Sequence, residues 1–240
     1  MTTQEFSNSF DTLLNSYSQQ AAFGNQAAVN DLVLDEYEKS VFLTEAEKSV
    51  ILSYYAGDST HLDTFEKTEE IRRYLNVLVE TKVIKDKVSE KTGLSSKSTF
   101  FSLPADLMFI TYEQVILSSD NKCLDGKITL VVPIEQDDYW YMSQNPFKGV
   151  NENRAFRLDV ATDTVEIIAK DSIAEYLVRY IRKPKPIILT NLGDLSIEGE
   201  SNVTECELPE VLHQEILNTA VRLAVSSKTL LITSYSKLQV

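Results

Sequence analysis

Cysteine is nearly absent from this chain. Cys123 and Cys206 are the two among 240 residues, which excludes a disulfide framework and makes a reducing compartment the natural setting. Glycine is scarce too, with seven residues, and none falls in the spacing of G-x-G-x-x-G or Gly-Lys-Ser/Thr. Backbone amides approach phosphate through such glycines, so nucleotide binding by those routes is excluded. The six prolines make no low-complexity tract. No apolar run approaches the ~20 residues of a membrane span. Met1 to Phe10 also lacks the basic start and apolar core of a signal peptide, so the expectation is a protein soluble where it is made, with no membrane partner. Positive charge is in short supply: 23 Lys and Arg stand against 36 Asp and Glu, a net −13. A surface built to coat nucleic acid through counterion release is therefore excluded, and any DNA contact is local. The acid surplus falls toward the C-terminus.

Reactive chemistry is equally thin. His61, His213 and the two cysteines are scattered singly, with none of the paired spacing of a zinc site. Both histidines read as solvated or partner-facing. Asp120-Asn121-Lys122-Cys123-Leu124-Asp125-Gly126 places Lys122 and Leu124 where a calcium loop needs oxygen ligands, so it reads as a turn. Asp137-Asp138 before Tyr139-Trp140-Tyr141 suggests acid catalysis over a sugar-stacking platform. On a strand, however, adjacent carboxylates point to opposite faces. No catalytic residue, metal site or cofactor is expected.

What the chain does have is a core: 43% of its residues are hydrophobic and 25% charged, the balance of an ordinary globular protein. The pattern predicts an α+β fold, with a helical region over 1–95 and, over 96–240, a mainly antiparallel β region followed by an extended arm and an amphipathic helix. Phe6, Phe10, Leu13, Leu14 and Tyr17 fall at helical spacing. A second helix is expected to start at Thr44, capped reciprocally with Glu47, and to end near Gly57. A third is expected over Glu69 to Val83. From Thr99 the period changes, and Phe100–Leu103, Leu107–Leu117, Ile128–Ile134 and Tyr139–Met142 read as strands. Ala155–Val160 and Thr164–Ala169 flank a hairpin turn. No long helical crossover is evident between these runs, which favours antiparallel pairing. Pro209 opens a final helix through Val225, and Leu230 to Ile232 reads as a short strand.

One segment rises above background. Arg179, Arg182, Lys183 and Lys185 pack four cations into seven positions of an acidic chain, with Pro184 and Pro186 stiffening the run. Those prolines exclude a central strand and suggest an extended edge or exposed arm. The cluster reads first as a contact with acidic patches on a neighbouring subunit, then as a solvated edge, and third as a DNA-backbone contact. A different class of function, a phage-encoded DNA-binding regulator of helix-turn-helix type, is suggested by Leu43 to Gly57. The helix that would enter the major groove, Thr60 to Leu75, carries Asp63, Glu66, Glu69 and Glu70 against Lys67, Arg72 and Arg73, and phosphates would repel it.

Three stretches carry a family resemblance: Leu34-Asp35-Glu36-Tyr37-Glu38-Lys39-Ser40-Val41-Phe42-Leu43-Thr44; Asn145-Pro146-Phe147-Lys148-Gly149 with Arg154-Ala155-Phe156-Arg157-Leu158-Asp159; and Tyr180 to Leu189 followed by Cys206-Glu207-Leu208-Pro209-Glu210. Here the chain resembles the neck ring proteins of crAss-like bacteriophages that infect gut Bacteroides, portal adaptors and head-tail connectors. The resemblance spans residues 6–226. It implies a structural protein of the virion neck, made in the host bacterial cytoplasm, that docks on the portal protein beside other neck and tail rings. It further implies a homo-oligomeric ring of twelve copies around the channel for packaged DNA. Within that frame, Arg179, Arg182, Lys183 and Lys185 are expected at subunit or channel contacts. The helix of Phe6, Phe10, Leu13, Leu14 and Tyr17 is expected as an arm gripping a neighbour.

Overall fold

The first two helices begin at reciprocal caps, in which a polar side chain satisfies an orphan amide of the first turn while the third residue on reaches back. In the computed structural model, which describes residues 1–22, 33–56, 69, 72–88 and 91–237, helix α1 (Thr3–Ala22) opens with Thr2 and Glu5. Helix α2 (Glu36–Ala56) opens with Asp35, whose Oδ1 accepts the Glu38 N–H at 2.7 Å. A 3-10 turn, Asn76–Leu78, leads into strands β1 (Val79–Ile84), β2 (Lys87–Val88), β3 (Ser98–Ser102), β4 (Leu107–Ser118) and β5 (Ile128–Pro133). A short helix α3 (Tyr139–Gln144) follows, then β6 (Arg154–Ala161), β7 (Thr164–Ile168), β8 (Ser172–Arg182) and helix α4 (Glu210–Lys237). These elements form two units: Met1–Val77 with Pro184–Val240, and Leu78–Lys183.

The second unit is one sheet in the order β1-β8-β4-β5-β6-β7-β3-β2. Its two end strands are joined by Lys85 and Asp86 alone, a link of about 11 Å at full stretch. The ends of the sheet therefore meet, and β1 and β2 act as one bent strand that closes a barrel. Three register shifts in β4 supply the curvature. Phe101 on β3 reaches the Tyr176 ring on β8, five places away in the sheet order, at 5.3 Å between centroids. Alternate residues such as Val115, Val131, Val165, Ile167 and Val178 fill the interior. A buried polar group lies among them: Glu113 accepts from Arg157 at 2.8 Å and from the Tyr176 hydroxyl. Burial pushes the Glu113 carboxyl and the Tyr176 hydroxyl above their ordinary values; Arg157 opposes the rise at Glu113.

In the helical unit α1 and α2 both pack on α4. Lys39 of α2 is buried with Asp11 of α1 at 2.7 Å and Glu36 at 2.9 Å. Burial works against its charge, but these partners outweigh it and raise the ammonium above its ordinary value. The chain leaving the barrel runs through Pro184 to Leu189 in extended form. The N–H groups of Ile187 and Leu189 donate to Thr44 Oγ1 and Ser40 Oγ, each at 3.1 Å, and Ile188 bridges Thr204. Each hydroxyl in turn donates to the carbonyl four residues back in α2.

Several expectations change. Thr44 caps nothing, because α2 has already begun at Asp35 and the threonine hydroxyl is turned to the returning chain. The helix expected over Glu69 to Val83 gives way after Leu78 to β1, which β8 captures by pairing. Tyr139–Met142 is helical rather than extended: Tyr139 and Met142, three apart, share a helix face and together cover Phe156, Leu158 and Ile168. That helix lies in the crossover that lets β5 and β6 pair in parallel, amid otherwise antiparallel neighbours. Pro184, Pro186 and Ile187 to Leu189 are buried, so this run is a packed strap and no exposed arm. Leu230 to Ile232 continues α4. The expected divide at residue 95 falls instead at 77/78 and 183/184, because the last fifty-odd residues pack with the first helices.

Two predictions follow from the helical unit. Replacing Ser40 by Ala and Thr44 by Val leaves two buried amides unpaired, at about 1–3 kcal/mol each; urea unfolding should show a loss of roughly 2–6 kcal/mol, and a loss near zero would remove these bonds from the account. Glu47 of α2 is fully buried, with Oε2 lacking a partner among the described residues and Oε1 accepting from the Cys206 thiol at 3.3 Å. Burial, offset in part by that thiol and reinforced by Glu207 and Glu198, pushes its carboxyl up to about 8. A raised folded-state value means the folded chain holds the proton more tightly, so this contribution is complete below the unfolded value near 4.5 and is lost as pH rises through 8. Glu47→Gln should therefore gain stability over wild type between pH 5 and 8.5, by a few kcal/mol at the alkaline end, read as the difference between their unfolding curves.

Candidate subunit interface

The cationic run lies across the end of the barrel unit and the start of the strap. Arg179 of β8 is exposed, with its Nε donating to Thr81 Oγ1 at 3.2 Å. Arg182 is mostly buried and pairs with Glu80 of β1 at 3.0 Å. Lys183 donates its backbone N–H to Asp106 O at 2.7 Å and its ammonium to Ala105 O at 3.4 Å. Lys185 belongs to the helical unit, where its backbone N–H donates to Glu207 Oε2 and its ammonium stands 3.9 Å from Oε1. Two of the four cations, Arg182 and Lys185, thus find anionic partners within the chain, while Arg179 and Lys183 meet neutral oxygens. Arg179, Lys183 and Lys185 keep exposed side chains that a second molecule can reach.

The α1 stripe is committed as well. Phe6, Phe10 and Leu14 are buried, Leu13 is half-buried, and the Tyr17 side chain lies outside the described residues. His213, expected in solvent or against a partner, is buried: its Nε2 lies 2.9 Å from Leu208 O and its ring packs at 5.1 Å on Phe6. Desolvation lowers its pKa. His61, Gly57 and most of the segment weighed as a DNA-recognition helix lie outside the described residues. Asp120 to Gly126 is a turn, with Gly126 at φ 72° and Asn121 Oδ1 accepting the Cys123 N–H. Among the described residues no three His, Cys, Asp or Glu side chains converge as a metal site.

The surface feature that sequence reasoning missed is on the β5–β6 crossover. Trp140 and Tyr141 are 66% and 72% exposed and meet edge to face at 5.3 Å; Phe147 is 87% exposed. The Phe147 loop is built, not slack. Asn145 Oδ1 accepts the N–H groups of Phe147 and Lys148, at 2.9 and 3.1 Å, and the Gly149 N–H donates to Asn145 O at 2.7 Å. A Cβ on Gly149 would lie 2.8 Å from that same carbonyl. Arg154 on β6 donates to Phe147 O and Lys148 O, at 3.3 and 2.9 Å, and clamps the loop to the barrel. Reading Tyr139–Met142 as a strand hid this knob, since a half-buried strand accounts for aromatics that a two-turn surface helix leaves in water. The available signal was Asp137-Asp138 ahead of the aromatic run and Asn145-Pro146 after it, a polar boundary at each end of a short helix.

The comparisons with known proteins agree on one family. The family model described as phage tail ring protein 3/4 matches residues 1–236. Ring protein 3 of Bacteroides phage crAss001 is 47% identical over 232 residues, covering 95% of this chain and 97% of that protein. Ring protein 4/5 of the same phage is 33% identical over 235 residues, covering 93% and 92%. A match of that length takes in the caps of α1 and α2, the barrel, the aromatic knob and the strap together, and the chain belongs to the phage tail ring protein 3/4 family.

Proposed function

We propose that this chain is a structural subunit of a phage virion, assembling as a homo-oligomeric ring in the neck and tail, joining the portal protein and other rings, and surrounding the channel for packaged DNA. The observation that carries the reading is the family match over residues 1–236. Its relatives are named as ring proteins, and the physical features of the chain suit that role. A closed barrel with a packed interior is a rigid building block. A −13 charge lets DNA pass a lining without adhering to it. The reading includes no catalysis and no cofactor, twelve copies per ring, and a place in the virion after synthesis in the host cytoplasm. No helix among the described residues is long and apolar enough to cross a membrane.

Arg179, Arg182, Lys183 and Lys185 serve subunit or channel contacts in this reading, with Arg182 also holding Glu80. The α1 stripe is already buried, so α1 grips a neighbour only by exchange between copies. A DNA-binding regulator gains no support from the geometry, since α2 runs unbroken through Thr44, where a new helix would have to open.

Quantitative mass spectrometry of purified particles tests the role. The chain should be present at a fixed, ring-like copy number relative to the portal protein; its absence from mature particles would end the proposal. Lys183→Glu with Lys185→Glu should leave thermal unfolding within about 1 kcal/mol of wild type, as for exposed charges, while lowering incorporation into particles. Normal incorporation would make the cluster ordinary surface.

A further inference from the structure

The outer face of the barrel carries a second exposed apolar surface, separate in kind from the aromatic knob. Register places Val83 beside Leu177, Leu177 beside Gln114, and Gln114 beside Leu130, one row across β1, β8, β4 and β5. Because side chains alternate, this row points away from the interior residues Val115, Val131, Tyr176 and Val178. Its ends, Val83 and Leu130, are exposed, as are Ile128 and Tyr112 beside it. The charge on this face is positive where it is unshared with an acid: Tyr112 pairs in register with Arg179, which is exposed and bonded only to a threonine hydroxyl among the contacts described. Lys85, by contrast, is held by Glu175 at 2.7 Å.

The knob has the opposite sign on its Trp140 side, where Glu135, Asp137 and Asp138 are all exposed; Lys148 is exposed beside Phe147. One molecule thus presents two different apolar surfaces, an aromatic knob rimmed by carboxylates and an aliphatic sheet face with an arginine. A closed ring of more than two copies needs two unlike patches that fit each other. Trp and Tyr are also the side chains that most often anchor such contacts.

Resting on the ring reading above, we infer that the acidic aromatic knob of one copy, Trp140, Tyr141 and Phe147, docks on the outer β4–β5–β8 face of the next copy, with Asp137 and Asp138 set against Arg179. The occupant of the face is a second copy of this chain, chosen by sign of charge and by the need of a ring for unlike surfaces. The Asn145 turn and the Arg154 clamp preorganise the knob, which reduces the ordering entropy lost on docking.

Self-association of the full chain, followed by analytical ultracentrifugation and light scattering, tests this. Trp140→Ser with Phe147→Ser should weaken it by more than about thirty-fold, the loss of buried aromatic anchors; Leu130→Ser with Tyr112→Ser should do the same. Neither pair touches the barrel interior, and unchanged circular dichroism and melting establish that each variant is folded. The knob variant mixed with the face variant should give heterodimers and nothing larger, because one intact knob–face contact remains. Arg179→Glu should weaken association, and Asp137→Lys with Asp138→Lys in a mixed partner should restore it. Wild-type association by all these variants, failure of the charge swap to rescue, or a wild-type chain that stays monomeric would overturn the contact. If the chain nonetheless occurs at ring copy number in particles, the ring stands and the knob–face contact falls; absence from particles would fell the ring reading itself.

Discussion

Two hydroxyls on adjacent turns of α2 decide how the chain closes. Ser40 and Thr44 each donate back to their own helix and accept from the strap, so the amides of Ile187 and Leu189 are satisfied without a sheet. A buried extended segment is otherwise hard to keep, because every N–H it takes from water must find an acceptor. With those acceptors in place, prolines at 184 and 186 remove donors that would have needed partners, and the apolar run that follows becomes core. The strap brings Pro209 and α4 to the first two helices within the helical unit. The unit is therefore made from both ends of the chain, with the barrel segment between them in sequence.

The barrel solves a different problem. An open sheet of eight strands would present two long rows of unpaired amides, an invitation to indiscriminate pairing. Bending one strand at Lys85-Asp86 so that it serves both ends removes most of that hazard. The interior Glu113–Arg157–Tyr176 group gives three strands a directional contact in a mainly apolar core. Buried ion pairs add little net stability, but removing one partner strands the other, which ties the strands to one arrangement.

Much of this was legible beforehand where the signal is local. The helical spacing of Phe6, Phe10 and Leu14, the hairpin around Ala161-Thr162-Asp163, the Pro209 helix start and three of the four other strand runs need only nearest neighbours to be read. The errors have a shared cause. Thr44 looks like a cap because Ser/Thr followed by Glu is a cap pattern, yet the true caps are Thr2 and Asp35, and the hydroxyl is used by residues 143 positions away. Tyr139–Met142 has strand composition, but three-residue spacing suited the one face that needed covering. The cationic run looked unaccompanied because its acids, Glu80 and Glu207, are 102 and 22 positions distant from Arg182 and Lys185.

The sequence by itself determined the class of the fold, the absence of clustered metal or nucleotide chemistry in its motifs, the acidic balance, and the family to which its quoted stretches bear resemblance, because each depends on composition or on residues close along the chain. Tertiary structure alone decided that the sheet closes, that the proline run is an interior strap, that Arg182 and Lys185 find acids within the chain and that three aromatics stand in water. Those outcomes turn on pairings between distant residues, and the physical reason they cannot be read off in advance is that burial depends on which distant surface packs against a segment and excludes its water, as well as on the character of the segment itself.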